Sequence, residues 1–162
     1  MELPKRKQNR LRCYDYSSNG GYFVTICTDQ RKKILCDIGE DGIVRRMKCG
    51  ILAEKIIWDI PRRFPTVSVD KYVVMPNHIH LLLLFAKENT TGSTDVTLGN
   101  VIGWYKYQVT KQINEAFGNA GNRVFQRSYH DHVIRGHRDY ELIWEYIDTN
   151  PQKWLLDCFY IK

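Results

Sequence analysis

Residues 66–86, TVSVDKYVVMPNHIHLLLLFA, contain two runs rich in apolar and β-branched residues, one on each side of the dipeptide Pro76-Asn77. Proline followed by asparagine favours a tight turn, and the flanking runs favour extended backbone. The stretch therefore predicts an antiparallel hairpin whose second strand begins at His78. Side chains alternate between the two faces of a strand, so His78 and His80 share one face while Ile79 points to the other.

Two further elements are predicted before this hairpin. The segment YFVTICT, residues 22–28, is rich in aromatic and β-branched residues and predicts a strand in the centre of a sheet. From Asp41 onwards, apolar residues at steps of three and four predict a helix with one buried face, ended by Pro61. The apolar positions of this helix are Val44, Met47, Ile51, Leu52 and Ile56.

A polar loop, a helix, a strand and a final helix are predicted after the hairpin. Residues 87–95 are a turn-rich loop, Thr97 is placed to cap a second helix, and Gly118 is placed to end it. The stretch RVFQRSYHDHVIR, residues 123–135, predicts a strand with a turn, and a last helix starts at Asp139 and is closed by Pro151. Helices and strands in this order predict an α+β fold, a ferredoxin-like antiparallel sheet with packed helices.

The composition limits the class of protein. With 162 residues, 43% of them hydrophobic, we expect a single domain over residues 1–162 with a basic N-terminal arm at residues 1–12. The net charge of +6 favours anionic partners such as nucleic acid. The five cysteines form no CxxC pair, which indicates reduced thiols. Because no apolar run could span a bilayer, we expect a cytoplasmic protein without a membrane partner.

The paired histidines have two interpretations. Two neutral imidazoles held side by side on a rigid strand can bind a divalent cation, although His-x-His also occurs as a pair of ordinary surface histidines. On the last helix, Tyr146 and Asn150 lie one turn apart, within the arc set by Leu142, Ile143 and Ile147, and are predicted to face the sheet. They are either a core aromatic and a helix-end amide, or part of one centre with the histidines.

A phenol beside a cation has a specific chemical use. Its pKa near 10 makes it a poor nucleophile at neutral pH, but beside a cation that polarises a phosphodiester it can attack phosphorus as the phenolate. The product is a covalent phosphotyrosine, which keeps the bond energy for rejoining the strand.

Read together, YVVMPNHIHLLL and YIDTNP resemble the single-tyrosine HUH transposases, and specifically the REP-associated tyrosine transposases within the IS200-like superfamily. The resemblance extends from YFVTICT through the histidine strand and VFQRSYHDHVIR to the YIxxNP helix. It implies an RRM-like sheet, with Tyr146 as the nucleophile and with His78, His80 and Asn150 as metal ligands. Asn150 is shorter than the glutamine of related insertion-sequence enzymes.

The resemblance also implies an activity and its partners. Such enzymes nick single-stranded DNA beside hairpins of palindromic repeats, through a 5′-phosphotyrosine, with Mg²⁺ or Mn²⁺ as the metal. The alternative is a domesticated protein that binds hairpin DNA without cutting it. The chain can act as a monomer or a homodimer, in the bacterial cytoplasm and at the nucleoid when it is bound to DNA.

Single-stranded DNA is held by cationic grooves with aromatic faces, so basic residues are candidate contacts. The candidates are Arg10, Arg12, Arg31, Lys32, Lys33, Arg62, Arg63, Lys106, Lys111, Arg127 and Arg135. Among them we select Arg127, Arg135 and Arg12, together with His132. His130 and His132 form a second His-x-His pair, for which a DNA contact or a supporting role is a better interpretation than a rival metal site.

Overall fold

The computed structural model describes residues 11, 14–86 and 96–160. The predicted basic arm, including Arg12 but not Leu11, and the predicted loop at 87–95 lie outside the described residues. The strands are β1 (Gly20–Cys27), β2 (Cys36–Ile38), β3 (Val44–Arg46), β4 (Val67–Val74), β5 (His78–Phe85) and β6 (His130–Val133). The helices are α1 (Lys48–Arg63), α2 (Leu98–Phe117) and α3 (His137–Thr149), with short 3₁₀ turns at Asp29–Arg31 and Pro151–Leu156.

Four of the strands form one antiparallel sheet in the order β4-β5-β1-β6. This order and the positions of α1 and α2 confirm the predicted α+β, ferredoxin-like fold, with β1 in the centre. The predicted hairpin is present as β4 and β5, joined through Pro76 and Asn77. β2 and β3 form a separate two-stranded ribbon that the sequence did not predict.

The two faces of the sheet have different chemistry. Alternate residues of β1 and β5 enter a large apolar core under α1 and α2. The core residues from these two strands are Tyr22, Val24, Ile26, Ile79, Leu81, Leu83 and Phe85. On the opposite face α3 packs Ile143 and Ile147 against Leu82 of β5. The histidines of β5 open onto this second face.

The predicted start and end of α1 are wrong. Residues 44–46 belong to the β2–β3 ribbon, and the helix begins at Lys48. It also continues through Pro61 to Arg63, since a proline in the last turn removes only one hydrogen bond. The start of α1 lies against the chain before β2, because a Cβ atom at Gly50 would overlap the carbonyl oxygen of Leu35.

α2 has the predicted ends. The Thr97 side chain accepts a hydrogen bond from the Asn100 backbone, the Asn100 side chain accepts one from the Thr97 backbone, and Gly118 ends the helix with a φ of 65°. None of the helices formed by the described residues has the length and apolar character needed to cross a bilayer. Four of the five cysteines lie within the described residues, and these four, Cys27, Cys36, Cys49 and Cys158, are free thiols, as predicted.

Candidate active site

Two imidazoles of β5 meet on the α3 face of the sheet. His78 Nε2 and His80 Nε2 lie 3.0 Å apart, and both rings are buried. They converge because residues two apart in a strand share a face, as the sequence predicted. β1 and β4 pair with β5 on either side, so the strand that carries the imidazoles is fixed by two ladders.

Each imidazole is oriented through its other nitrogen. Asn77 Nδ2 donates to the carbonyl oxygen of Phe159 over 2.8 Å, so Asn77 Oδ1 faces His78 and accepts a hydrogen bond from Nδ1–H at 2.9 Å. His80 Nδ1 lies 2.9 Å from the hydroxyl oxygen of Thr25. A proton held on Nδ1 leaves a lone pair on Nε2, which is the form that binds a metal.

Burial keeps both imidazoles neutral. Together with a smaller effect of the positive charge of Arg31, it lowers the pKa of His78 to about 3. Burial also lowers the pKa of His80 well below its usual value, with a contribution from the charge of His78. Neutral imidazoles at physiological pH need not lose a proton before they coordinate a metal.

Asp157 completes a group of three metal-ligating side chains with the two histidines. Its Oδ2 lies 3.9 Å from His78 Nε2, and the three ligand atoms lie within 4.8 Å of one another. The carboxylate is held in place, since Oδ1 accepts the backbone N–H of Phe159 at 2.6 Å and Oδ2 accepts Asn150 Nδ2 at 3.1 Å. Sequence reasoning missed Asp157; its only signal was an acidic residue soon after the YIDTNP motif.

The residues present fit a divalent cation. Two imidazole nitrogens and a carboxylate oxygen are ligands that Mn²⁺ accepts, and a carboxylate also suits Mg²⁺. Asn150, the predicted third ligand, adds an amide oxygen that is buried and has no hydrogen-bond partner among the described residues. Such a buried orphan acceptor next to the Asp157 carboxylate is satisfied if a cation binds between them and the imidazoles.

Tyr146 lies beside this group. Its ring centroid is 5.3 Å from that of His80, and its ring meets Phe23 edge-on at 5.9 Å. Burial and the negative charge of Asp157 raise its pKa to about 12, against the opposing effect of a hydrogen bond with Asn150. The ring is 39% exposed. The predicted apolar arc of α3 is wrong at Leu142, which is 59% exposed.

Polar contacts fix α3 on the sheet. Lys71 of β4 pairs with Asp148 at 2.5 Å, and the hydroxyl of Tyr140 donates to Asp70 at 2.7 Å. At the start of the helix, Asp139 accepts from the imidazole of His132 at 2.8 Å and from the backbone N–H of Arg135 at 2.8 Å. These contacts hold the tyrosine-bearing helix over β4 and β5.

The predicted DNA contacts surround β6. Arg127, Arg135 and His132 are exposed, and β6 borders β1 rather than the histidine strand β5. Asp139 of α3 lies 2.8 Å from His132, so a helix residue does contact the second histidine pair. Within the part of the chain that the structure describes, neither histidine of that pair belongs to a group of three metal-ligating residues.

Lys106 was a candidate DNA contact from the sequence, but in the structure its ammonium binds backbone carbonyl oxygens instead. Its ammonium, on α2, is half-buried and donates to the carbonyl oxygens of Gln126 and Arg127, the second at 3.0 Å. These contacts fix the segment that leads into β6 rather than presenting a charge to a partner.

Comparison with known proteins agrees with this arrangement of residues. The family model for IS200-like transposases matches residues 16–150. The chain belongs to the IS200-like transposase family. It is therefore an enzyme that acts on DNA, and the predicted family is confirmed. An uncharacterised protein of Haemophilus influenzae is 32% identical to this chain over an alignment 177 positions long. The alignment covers 96% of this chain and 93% of the relative.

Two solved structures share the fold of this family member. One is a REP-associated tyrosine transposase bound to a REP hairpin, with a TM-score of 0.61 and 23% identity, covering 90% of this chain and 73% of that one. The other is described as a candidate transposase of Deinococcus radiodurans R1, with a TM-score of 0.51 and 20% identity, covering 86% of this chain and 95% of that one.

Proposed function

We propose that this chain is a metal-dependent endonuclease and strand transferase for single-stranded DNA, which nicks beside hairpins of palindromic repeats through a 5′-phosphotyrosine. The observation that carries the proposal is the position of the Tyr146 ring, 5.3 Å from the ring of His80, at a group of neutral imidazoles and a carboxylate. Membership of a transposase family and the fold shared with a hairpin-bound REP-associated transposase support the substrate.

His78, His80 and Asp157 would hold the divalent cation, Mg²⁺ or Mn²⁺, with Asn150 adding its free amide oxygen. When bound, the cation polarises a phosphodiester oxygen and favours the phenolate form of a nearby tyrosine. Thr25 and Asn77 hold the two imidazoles through their Nδ1 atoms and keep Nε2 available for the ion.

Tyr146 performs the cleavage in this proposal. Its phenolic oxygen forms a bond to phosphorus, the bond from phosphorus to the 3′-oxygen breaks, and the strand leaves with a free 3′-hydroxyl. The phenolic proton passes to water, and the departing 3′-oxygen takes a proton from water to become the hydroxyl. The reverse reaction with another 3′-hydroxyl rejoins DNA, and α3 keeps Tyr146 in place for both steps through the Lys71–Asp148 ion pair.

The test is adduct formation with DNA from the sequence that flanks the coding region. Palindromic oligonucleotides labelled at the 3′ end are incubated with the chain and Mn²⁺, and we expect the label to migrate with the protein after denaturation. A 5′ label should instead leave on a fragment with a free 3′-hydroxyl. Tyr146→Phe should form no adduct, whereas Tyr107→Phe, the same change at an exposed tyrosine of α2, should form it normally.

Two results would reject the cleavage mechanism. One is an adduct that persists in Tyr146→Phe, and the other is no adduct with any palindrome from the flanking DNA. Hairpin binding without any cleavage would instead favour the domesticated binding protein. The place of action that we propose is the cytoplasm, and the nucleoid while DNA is bound.

A further inference from the structure

The segment between β1 and β2 has a strained backbone that presents Arg31. Gln30 and Arg31 have φ values of 53° and 54°, the left-handed region in which a Cβ atom crowds the backbone. Hydrogen bonds hold this conformation, since the Arg31 backbone N–H donates to the carbonyl of Thr28 at 3.1 Å. Two consecutive non-glycine residues in this region indicate a backbone kept for a purpose other than stability.

The strained backbone points the Arg31 side chain towards the candidate active site. Its guanidinium carbon lies 5.3 Å from the ring centroid of Phe159, and that ring lies 4.7 Å from the ring of His78. His130, exposed on β6, borders the same ring at 6.2 Å. Within residues 14–86 and 96–160, the Arg31 guanidinium has no carboxylate partner and no hydrogen bond, so its donors are available to a ligand.

Arg31 and Tyr146 lie on different sides of His80 along the strands. The pairing of β1 with β5 places Phe23 opposite Leu82, Thr25 opposite His80, and Cys27 opposite His78. Tyr146 touches Phe23 and His80, towards one end of this ladder.

Phe159 touches His78, and Arg31 lies in the 3₁₀ turn that comes after the end of β1, towards the other end of the same ladder. In phosphoryl transfer the attacking and leaving oxygens lie roughly in line, on opposite sides of phosphorus. In the proposed cleavage, the end of the ladder with Arg31 would therefore face the strand that departs from Tyr146.

We propose that Arg31 and His130 form a binding site for a phosphate of single-stranded DNA on the side of the leaving 3′-oxygen. A guanidinium has a planar fork of donors that matches phosphate oxygens, and an adjacent aromatic ring favours both the cation and a stacked base. The assignment of this phosphate to the leaving strand rests on the proposed function. Binding of a DNA phosphate at this site requires neither a metal ion nor cleavage of the DNA.

Binding of a labelled oligothymidylate, followed by fluorescence anisotropy with EDTA present, tests this site without any cleavage. We compare Arg31→Gln with Arg63→Gln. The sequence made Arg63 a candidate DNA contact, but the structure places its guanidinium over the ring of Phe64 at 5.1 Å, on α1 at the opposite face of the sheet, so it serves as the control. We expect Arg31→Gln to weaken binding roughly fivefold. The negative slope of log affinity against log salt should become less steep by about 0.7, because one phosphate contact is lost. Arg63→Gln should change neither quantity, and Arg31→Lys should restore most of the slope.

A second measurement uses the unmodified chain. The side-chain Nε–Hε NMR signal of Arg31, assigned by its loss in Arg31→Lys, should shift when oligothymidylate is added. Equal affinities and slopes for Arg31→Gln and Arg63→Gln, or an Arg31 signal that does not move, would overturn the site. Because no adduct is measured here, that result would leave the Tyr146 mechanism standing, and a missing adduct would leave the phosphate site standing.

Discussion

Replacing Asp157 with asparagine is the sharpest perturbation of the proposed metal centre. The substitution keeps the shape of the side chain, and its remaining oxygen can still accept the backbone N–H of Phe159, so the fold should survive. What is lost is one negative charge, 3.9 Å from His78 Nε2. The expected consequence is weaker binding of Mn²⁺.

The magnitude follows from Coulomb's law and hydration. At about 4 Å and an effective dielectric constant near 20, a divalent cation and a carboxylate attract each other by about 8 kcal/mol. The hydration that both lose on pairing offsets most of this. We expect a net loss of about 3 kcal/mol, or roughly a hundredfold rise in the Kd of Mn²⁺.

Isothermal titration calorimetry of Mn²⁺ binding by the chain without DNA measures this change. Asp59→Asn is the matched control, since Asp59 pairs with Arg62 on α1, at the opposite face of the sheet, and its Kd for Mn²⁺ should equal that of the unmodified chain. If Asp157→Asn binds Mn²⁺ normally while Asn150→Ala binds it weakly, the third ligand is the amide predicted from the sequence and the role given to Asp157 is refuted.

Three more predictions concern stability. Mn²⁺ at about a hundred times its Kd should stabilise the chain by about 2.7 kcal/mol and raise Tm by roughly 5–10 °C, and scanning fluorimetry of His80→Gln should show no such rise. Gln30→Gly should relieve the left-handed backbone and increase the free energy of unfolding by about 1 kcal/mol; a decrease in urea titration would contradict the strain. Lys106→Met should lower that free energy by about 2 kcal/mol, because the carbonyls of Gln126 and Arg127 lose their donor. The same change at exposed Lys111 should leave the urea midpoint where it was.

The parts of the fold that were predicted depend on local rules. The β4–β5 hairpin follows from a period of two and a turn dipeptide, and the ends of α2 follow from the capping side chain of Thr97 and from Gly118. Once residues 78–85 are assigned to a strand, it follows that His78 and His80 lie on one face. Each of these inferences uses neighbours in the sequence.

The parts that were missed depend on packing between distant segments. Met47 and Ile51 fit a helical spacing, yet both are exposed, and the buried face of α1 consists of Ala53, Ile56, Ile57 and Ile60. Asp157 reaches His78 only because the chain turns back in the 3₁₀ segment after Pro151, where Trp154 is buried. No local pattern predicts that return, because its stabilising contacts lie far away in the chain.

The eight residues of β5 serve the apolar core and the proposed chemistry at once, on alternate positions. A slip of this strand by a single residue against its neighbours would turn both imidazoles into the apolar core, and would turn Ile79, Leu81 and Leu83 towards α3 in their place. Such a chain would lose its stability together with its reactive groups. Correct pairing of β5 is therefore needed both for stability and for the proposed chemistry. A chain with a mispaired β5 would be unstable, not folded and merely inactive.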